Sequence, residues 1–181
     1  VTFRQTDPLF AVDLSEPEHP RVLGELKVSG FSEYLHFWNE DVLLGIGMEA
    51  DEETGQRECL KLSMFDISDP AVVKEEARKE LTDYNYSEVL CNYKAVLIDT
   101  SENLIGFCAE GSNRGEYWKY YLVYAYENGS FVQKLKLETR AEDGGFYRTR
   151  GTFIGEVLYL LREDGSVQAY NRESGKLLET L

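Results

Sequence analysis

Leu62-Ser-Met-Phe-Asp66-Ile-Ser68 decides the fold, because its pattern returns three more times without gaps. The other copies are Leu9-Phe-Ala-Val-Asp13-Leu-Ser15, Val123-Tyr-Ala-Tyr-Glu127-Asn-Gly129 and Val167-Gln-Ala-Tyr-Asn171-Arg-Glu173. Apolar and aromatic side chains suit a pleated, half-buried strand, and the Asp or Asn that follows bends the chain by bonding its own backbone. A second extended stretch comes after each turn: Val22–Leu26, Val72–Leu81, Phe131–Leu135 and Lys176–Thr180. Each copy is therefore a hairpin. The marker residues Asp13, Asp66, Glu127 and Asn171 stand 53, 61 and 44 residues apart, which brackets the roughly 40–50 residues of a four-stranded propeller blade.

Between the hairpins lie two further strand candidates per unit: Glu33–Trp38 with Asp41–Ile46, Glu88–Tyr93 with Ala95–Asp99, and Arg150–Ile154 with Val157–Arg162. The expected architecture is all-β: a partial β-propeller of about three and a half four-stranded antiparallel blades. As one propeller fragment over residues 1–181 it divides into a partial blade at 1–28 and blades at 29–82, 83–139 and 140–181. Runs such as Val42-Leu-Leu44 and Val157-Leu-Tyr-Leu-Leu161 read as strands buried on both faces. One segment competes: Ser68 to Leu81 has a cap residue, Pro70 and strong helix formers. The repeat register assigns it to a strand.

Val1-Thr-Phe-Arg4 reads as a strand already under way, so about half a blade is expected upstream, the chain being a processed or truncated product. About three and a half blades cannot close a ring. The open ends predict self-association or pairing with the missing blades.

A net charge of −14 and the lack of a Lys/Arg run set the chain against nucleic acid and anionic membrane surfaces. No apolar stretch approaches the ~20 residues of a membrane span. Three cysteines, Cys59, Cys91 and Cys108, suit neither a zinc knuckle nor a dense disulfide framework, and read as small core residues with one disulfide left open.

The residues Val1 to Phe10, Tyr34-Leu-His36, Leu44-Gly-Ile-Gly47, Phe65-Asp-Ile-Ser-Asp-Pro70 and Tyr86-Ser-Glu88 together resemble a family of bacterial β-propeller domains distantly related to WD40 repeats. The resemblance spans nearly the whole chain. It implies a secreted or cell-surface protein with further blades before Val1, and it implies nothing about activity. The chain departs from the family pattern at Phe37, where Pro usually follows the His, and at Tyr93, where a His is common. A family site using that second His would be absent.

Gly45-Ile-Gly47-Met-Glu-Ala50 matches a dinucleotide fingerprint but is followed by acidic residues rather than a helix N-terminus. The acidic run Glu49 to Glu53 with Glu58 offers carboxylates to calcium, yet its spacing fits no EF-hand and reads better as a solvated hairpin tip. No other cofactor is expected, nor any metal. His19 lies in a Pro-flanked turn and His36 on a strand beside Phe37 and Trp38. His36 reads as a packed, hydrogen-bonded residue before it reads as a ligand.

The remaining candidates come from repeated unit openings: Gly30-Phe31-Ser32-Glu33, Asn85-Tyr86-Ser87-Glu88 and Gly145-Phe146-Tyr147-Arg148. Phe31, Tyr86 and Phe146 are expected to wedge between blades. Glu33, Glu88 and Arg148 are expected where inner strands begin, lining one rim of a central channel, with Arg148 paired to an acidic neighbour. No catalytic residue is assigned. The reading is a non-catalytic extracytoplasmic module that binds or scaffolds a protein or glycan. Its rival is a polysaccharide hydrolase or lyase using Glu33 and Glu88, which would need two carboxyls roughly 5–10 Å apart.

Overall fold

The four repeated stretches all become strands, and in each complete sheet the marker strand is third of four. The computed structural model describes residues 8–51, 53–139 and 148–181; the openings at residues 1–4 and 145–147 fall outside them. The chain divides after Asp83 into two compact units.

The first unit begins with the hairpin β1 (Leu9–Asp13) and β2 (Arg21–Leu26). A sheet follows, built in order from β3 (Phe31–Phe37), β4 (Val42–Ala50), β5 (Arg57–Asp66) and β6 (Lys74–Leu81). Every neighbouring pair is antiparallel. Leu9, Ala11 and Leu26 of the hairpin pack on Leu43, Phe65 and Val73. β4 is buried nearly end to end, as its unbroken apolar run requires. Gly45 and Gly47 lie inside this strand, not in a phosphate-binding turn. A Cβ on Gly47 would come within 1.9 Å of the Phe31 carbonyl oxygen, so these glycines permit close strand approach. Lys74–Leu81 pairs with β5 along its whole length, and ladder hydrogen bonds with Leu81 buried override the helix-forming composition.

The second unit holds two sheets. One runs β7 (Val96–Asp99), β8 (Leu104–Asn113), β9 (Glu116–Glu127) and β10 (Ser130–Glu138). The other runs β11 (Thr149–Ile154), β12 (Val157–Arg162), β13 (Val167–Asn171) and β14 (Leu177–Thr180). Tyr121, Val123, Leu158, Leu160 and Tyr170 share the core between them. At its centre is Tyr121, 0% exposed. A Cβ on Gly106 or Gly151 would lie 2.7 or 2.1 Å from its hydroxyl, so two glycines from facing sheets make the room for one ring. The run in β12 does not bury continuously as expected: Leu158 and Leu160 are buried while Leu161 is exposed, because only one face of this sheet packs on its neighbour.

The marker turns use two chemistries. Oδ1 of Asp13, Asp66 and Asn171 accepts the N–H two residues on at 2.9, 2.9 and 3.2 Å. Glu127 lacks that geometry, and there Asn128 and Gly129 take φ of 51° and 74°, the left-handed pair of a two-residue hairpin turn.

The second unit also corrects the strand reading of Glu88–Tyr93. Glu88–Leu90 and Tyr93–Ala95 are 3-10 turns, each started by a cap: Ser87 Oγ accepts from Val89 N, and Asn92 Oδ1 from Lys94 N. Local side-chain bonds of this kind outcompete a ladder. The first strand of that sheet is Val96–Asp99, and its second is Leu104–Asn113, which the sequence reading did not single out.

Candidate functional site

The turn before β7 builds the site. Ser87, wholly buried, donates from Oγ to the Cys108 carbonyl at 2.6 Å and ties this turn to β8. Tyr86 and Glu110 exchange backbone bonds at 3.2 and 2.8 Å. A cleft of about 480 Å³ opens beside them, lined by Tyr86, Glu88, Asn92, Glu110, Lys119 and Arg148 together with Cys91.

Two carboxylates face this cleft. Arg150 grips Glu88 with both terminal guanidinium nitrogens, Nη1 and Nη2, at 3.0 and 2.6 Å, and Asn92 Nδ2 adds a third bond at 2.7 Å. The bond from Arg150, foremost, holds the Glu88 carboxyl below its usual range. Glu110 accepts from Lys119 at 2.8 Å and from the Tyr117 hydroxyl at 2.9 Å. Tyr86 and Tyr117 remain exposed, and Tyr93 in the second turn does too. The Tyr86 hydroxyl is 3.8 Å from Cys91 Sγ; that contact, with burial and nearby carboxylates, pushes its pKa up to about 12.

The sequence candidates separate on this geometry. Glu88 and Arg148 line one cleft, but Glu88 does not begin an inner strand, so its positional equivalence to Glu33 and Arg148 is corrected. Tyr86 stands exposed instead of wedged, whereas Phe31 is buried. Arg148 is largely exposed, and its acidic neighbour is Glu163 at 4.0 Å. Arg150, two residues further on, is the partner of Glu88 that sequence reasoning missed. The only signal was two arginines at the opening of a strand.

Glu33 belongs to the first unit. It is the extra residue where the β3 register shifts, and it pairs with Arg57 at 3.3 Å while the Arg57 guanidinium lies 4.8 Å from the Phe31 ring centroid. His36 is half-buried, with Nδ1 3.2 Å from the Tyr34 hydroxyl and the rings stacked.

The acidic run resolves into separate roles. Glu49 is buried at the end of β4, 3.7 Å from Lys61 Nζ and 3.1 Å from Arg78 Nη1. Ser29 also donates to its carboxylate. Burial alone would raise the Glu49 pKa, but the bonds from Ser29 and Ala50 and the two cations outweigh it and leave the carboxyl below its ordinary range. Burial lowers the pKa of Lys61, and Glu49 opposes that shift. Asp51 accepts within its own turn, from Glu53 N and Thr54. Among the described residues no group of three or more His, Cys, Asp or Glu could hold a metal ion; Glu52 lies outside them. The three cysteines are free thiols, with Cys59 and Cys108 buried and Cys91 exposed. Burial pushes the Cys108 thiol up to about 11.

Antiparallel sheets of four, each with its repeated stretch as third strand, define a β-propeller architecture. The chain belongs to the beta propeller domain family, whose model matches residues 1–174. Its relatives include an uncharacterized protein of Archaeoglobus fulgidus, 40% identical over 96% of this chain and 24% of its own length. Another is an uncharacterized protein of Methanocaldococcus jannaschii, 34% identical over 88% of this chain and 22% of its own length. The chain thus spans about a quarter of the curated relatives it matches. Both are archaeal, which corrects the expectation of a bacterial family. Among solved structures, the N-terminal domain of Nup159 aligns with 99% of this chain and 58% of its own at 13% identity and a TM-score of 0.34. A yeast complex of Dbp5 with Nup159, Gle1, IP6 and ADP aligns over the same shares at 14% and 0.33. Both scores are low; the propeller assignment rests on the family match and the sheet topology. Among the described residues no helix is long and apolar enough to cross a membrane.

Proposed function

We propose that this chain is a non-catalytic binding or scaffolding module whose cleft beside β8 engages a protein or glycan outside the cytoplasm. The observation that carries the reading is the double grip of Arg150 on Glu88. A glycosidase acid needs a raised pKa, and Glu88 is shifted the other way. That weighs against the hydrolase or lyase alternative. Exposed tyrosines beside charged and amide groups supply what recognition needs: flat apolar area with a polar edge. Extracytoplasmic placement is supported by the resemblance of the Tyr34-Leu-His36 and Phe65–Pro70 motifs to exported propellers.

The test is a panel of immobilised polysaccharides and surface proteins, read for binding and for released reducing ends. Binding without turnover is expected, weakened in Arg148→Ala at an unchanged melting temperature. Glu88→Gln should instead lower the melting temperature, since it leaves Arg150 without its carboxylate. Turnover abolished by Glu88→Gln would overturn the reading.

The module is also expected to self-associate. Phe10, Val12 and Val22 are exposed on the face of the β1–β2 hairpin opposite Leu9 and Ala11, an apolar patch suited to a second copy. Light scattering at tens of micromolar that shows monomer alone would count against this.

A further inference from the structure

A second cleft, of about 420 Å³, lies within the second unit and shares no residue with the first. Its floor is apolar: Leu104 of β8, Val123 and Ala125 of β9, and Phe153 of β11. Its mouth is charged, with Glu102, Glu127, Lys134, Arg172 and Glu173. Close packing normally fills such gaps between sheets, so an open apolar hollow with a polar rim has the anatomy of a binding site.

The rim charges are unequal. Lys134 is held by Glu127 at 2.7 Å. Arg172 is bonded to Glu102 at 2.8 Å and lies 3.5 Å from Glu156, with Glu173 acting on it as well. One guanidinium therefore faces three carboxylates, while the nearby Asp99 also feels its charge. After both cations are matched, the mouth keeps a negative excess on a chain of net charge −14. Such a field attracts positive groups and disfavours anions.

We propose that this cleft takes a peptide segment carrying one bulky apolar side chain flanked by basic residues. The apolar side chain fills the floor as a buried anchor. The flanking Lys or Arg residues lie against the carboxylates of the mouth, which seal the anchor from water. The acidic mouth carries the charge preference, and the volume of the cleft, about 420 Å³, carries the preference for a large side chain.

Fluorescence anisotropy with labelled heptapeptides tests both halves. Three probes suffice: Phe at the centre flanked by Lys, Ala at the centre flanked by Lys, and Phe flanked by Glu. The Phe–Lys peptide should bind saturably and about ten-fold or more tighter than either of the others, a difference of about 1.4 kcal/mol. Raising salt from roughly 50 to roughly 500 mM should weaken it several-fold. Ala125→Leu, which fills the floor, should abolish binding, and since Ala125 is itself buried its melting temperature is measured alongside. Glu173→Lys alters only an exposed side chain, so it remains informative if Ala125→Leu fails to fold, and it should weaken binding about five-fold. The proposal is overturned if no peptide saturates, if the Ala-centred or Glu-flanked peptide binds equally well, or if Glu173→Lys leaves affinity unchanged. None of these outcomes bears on the cleft at Glu88.

Discussion

The β4–β5 pair of the first unit and the β8–β9 pair of the second occupy the same place in their sheets but fill it with opposite chemistry. Five residues before the markers Asp66 and Glu127 stand Lys61 and Leu122, exposed to 1% and 0%. The ladder pairs Met48 with Leu60 and Cys108 with Tyr121, which sets Glu49 against Ala109, and both are buried. One blade thus encloses a carboxylate and an ammonium where the next encloses two apolar side chains. The architecture accepts either, since a buried ion pair and an apolar pair of similar volume can be close in free energy. They fail differently, because an abandoned buried charge is penalised far more than a missing methyl group.

The largest expected effect exploits that asymmetry. Glu49→Ala alone strips Lys61 of its carboxylate and should destabilise the protein by about 3–5 kcal/mol in urea denaturation. The double change Glu49→Ala with Lys61→Leu removes the stranded ammonium as well and should recover part of that loss, since Ser29 and Arg78 still lose the carboxylate they bond. A double variant as unstable as the single one would break the comparison.

Next in size is Gly151→Ala, whose Cβ would meet the Tyr121 hydroxyl at 2.1 Å. With the ring fully enclosed, overpacking should destabilise by about 1–3 kcal/mol, read as a lowered melting temperature. In a Tyr121→Phe background the oxygen is gone and the loss should shrink. Equal losses in both backgrounds would mean that the ring carbons, with Cζ 2.4 Å from the added Cβ, set the clearance rather than the hydroxyl.

Acid sharpens the comparison further. Glu49 and Glu88 both have folded pKa values below the usual 4.5. The unfolded chain therefore binds protons first, and stability rises with pH through this range. The contribution is complete above about 4.5 and lost as pH falls through each folded pKa. In the Glu49→Ala/Lys61→Leu variant the share of Glu49 in this acid loss should vanish while that of Glu88 with Arg150 persists. A melting profile from pH 3 to pH 7 that matches wild type would show that Glu49 adds no acid sensitivity.

The smallest effect is expected from Tyr121→Phe alone. The Tyr121 hydroxyl is buried and finds no hydrogen-bond partner among the described residues. Removing it should leave stability unchanged or raise it by up to about 1 kcal/mol. A clear loss would reveal a bond that the hydroxyl makes.

Much of the fold was legible because its signals are local. Leu62 to Asp66 announces a strand and its turn within a few residues, through side-chain shape and through the Asp66 bond to Ser68 N. The turn at Ser87 was not legible, since the groups that hold Ser87 include the Cys108 carbonyl 21 residues away. Glu88 and Arg148 line one cleft, but the equivalence of unit openings that grouped them with Glu33 does not hold. That Arg150 would grip Glu88 was not legible, as the two are 62 positions apart in the chain and meet only once β11 stands beside the capped turn.

By itself the sequence determined the repeat, the marker strand and turn of each blade, and the net acidity of the chain. Those follow from short-range sterics, period-two alternation and summed charge, none of which needs a partner far along the chain. Tertiary structure alone decided that Lys61 is buried, that Tyr121 sits between Gly106 and Gly151, and which arginine holds Glu88. A side chain's neighbours across sheets depend on how blades stack, and stacking is a property of the whole surface each sheet presents rather than of any one stretch.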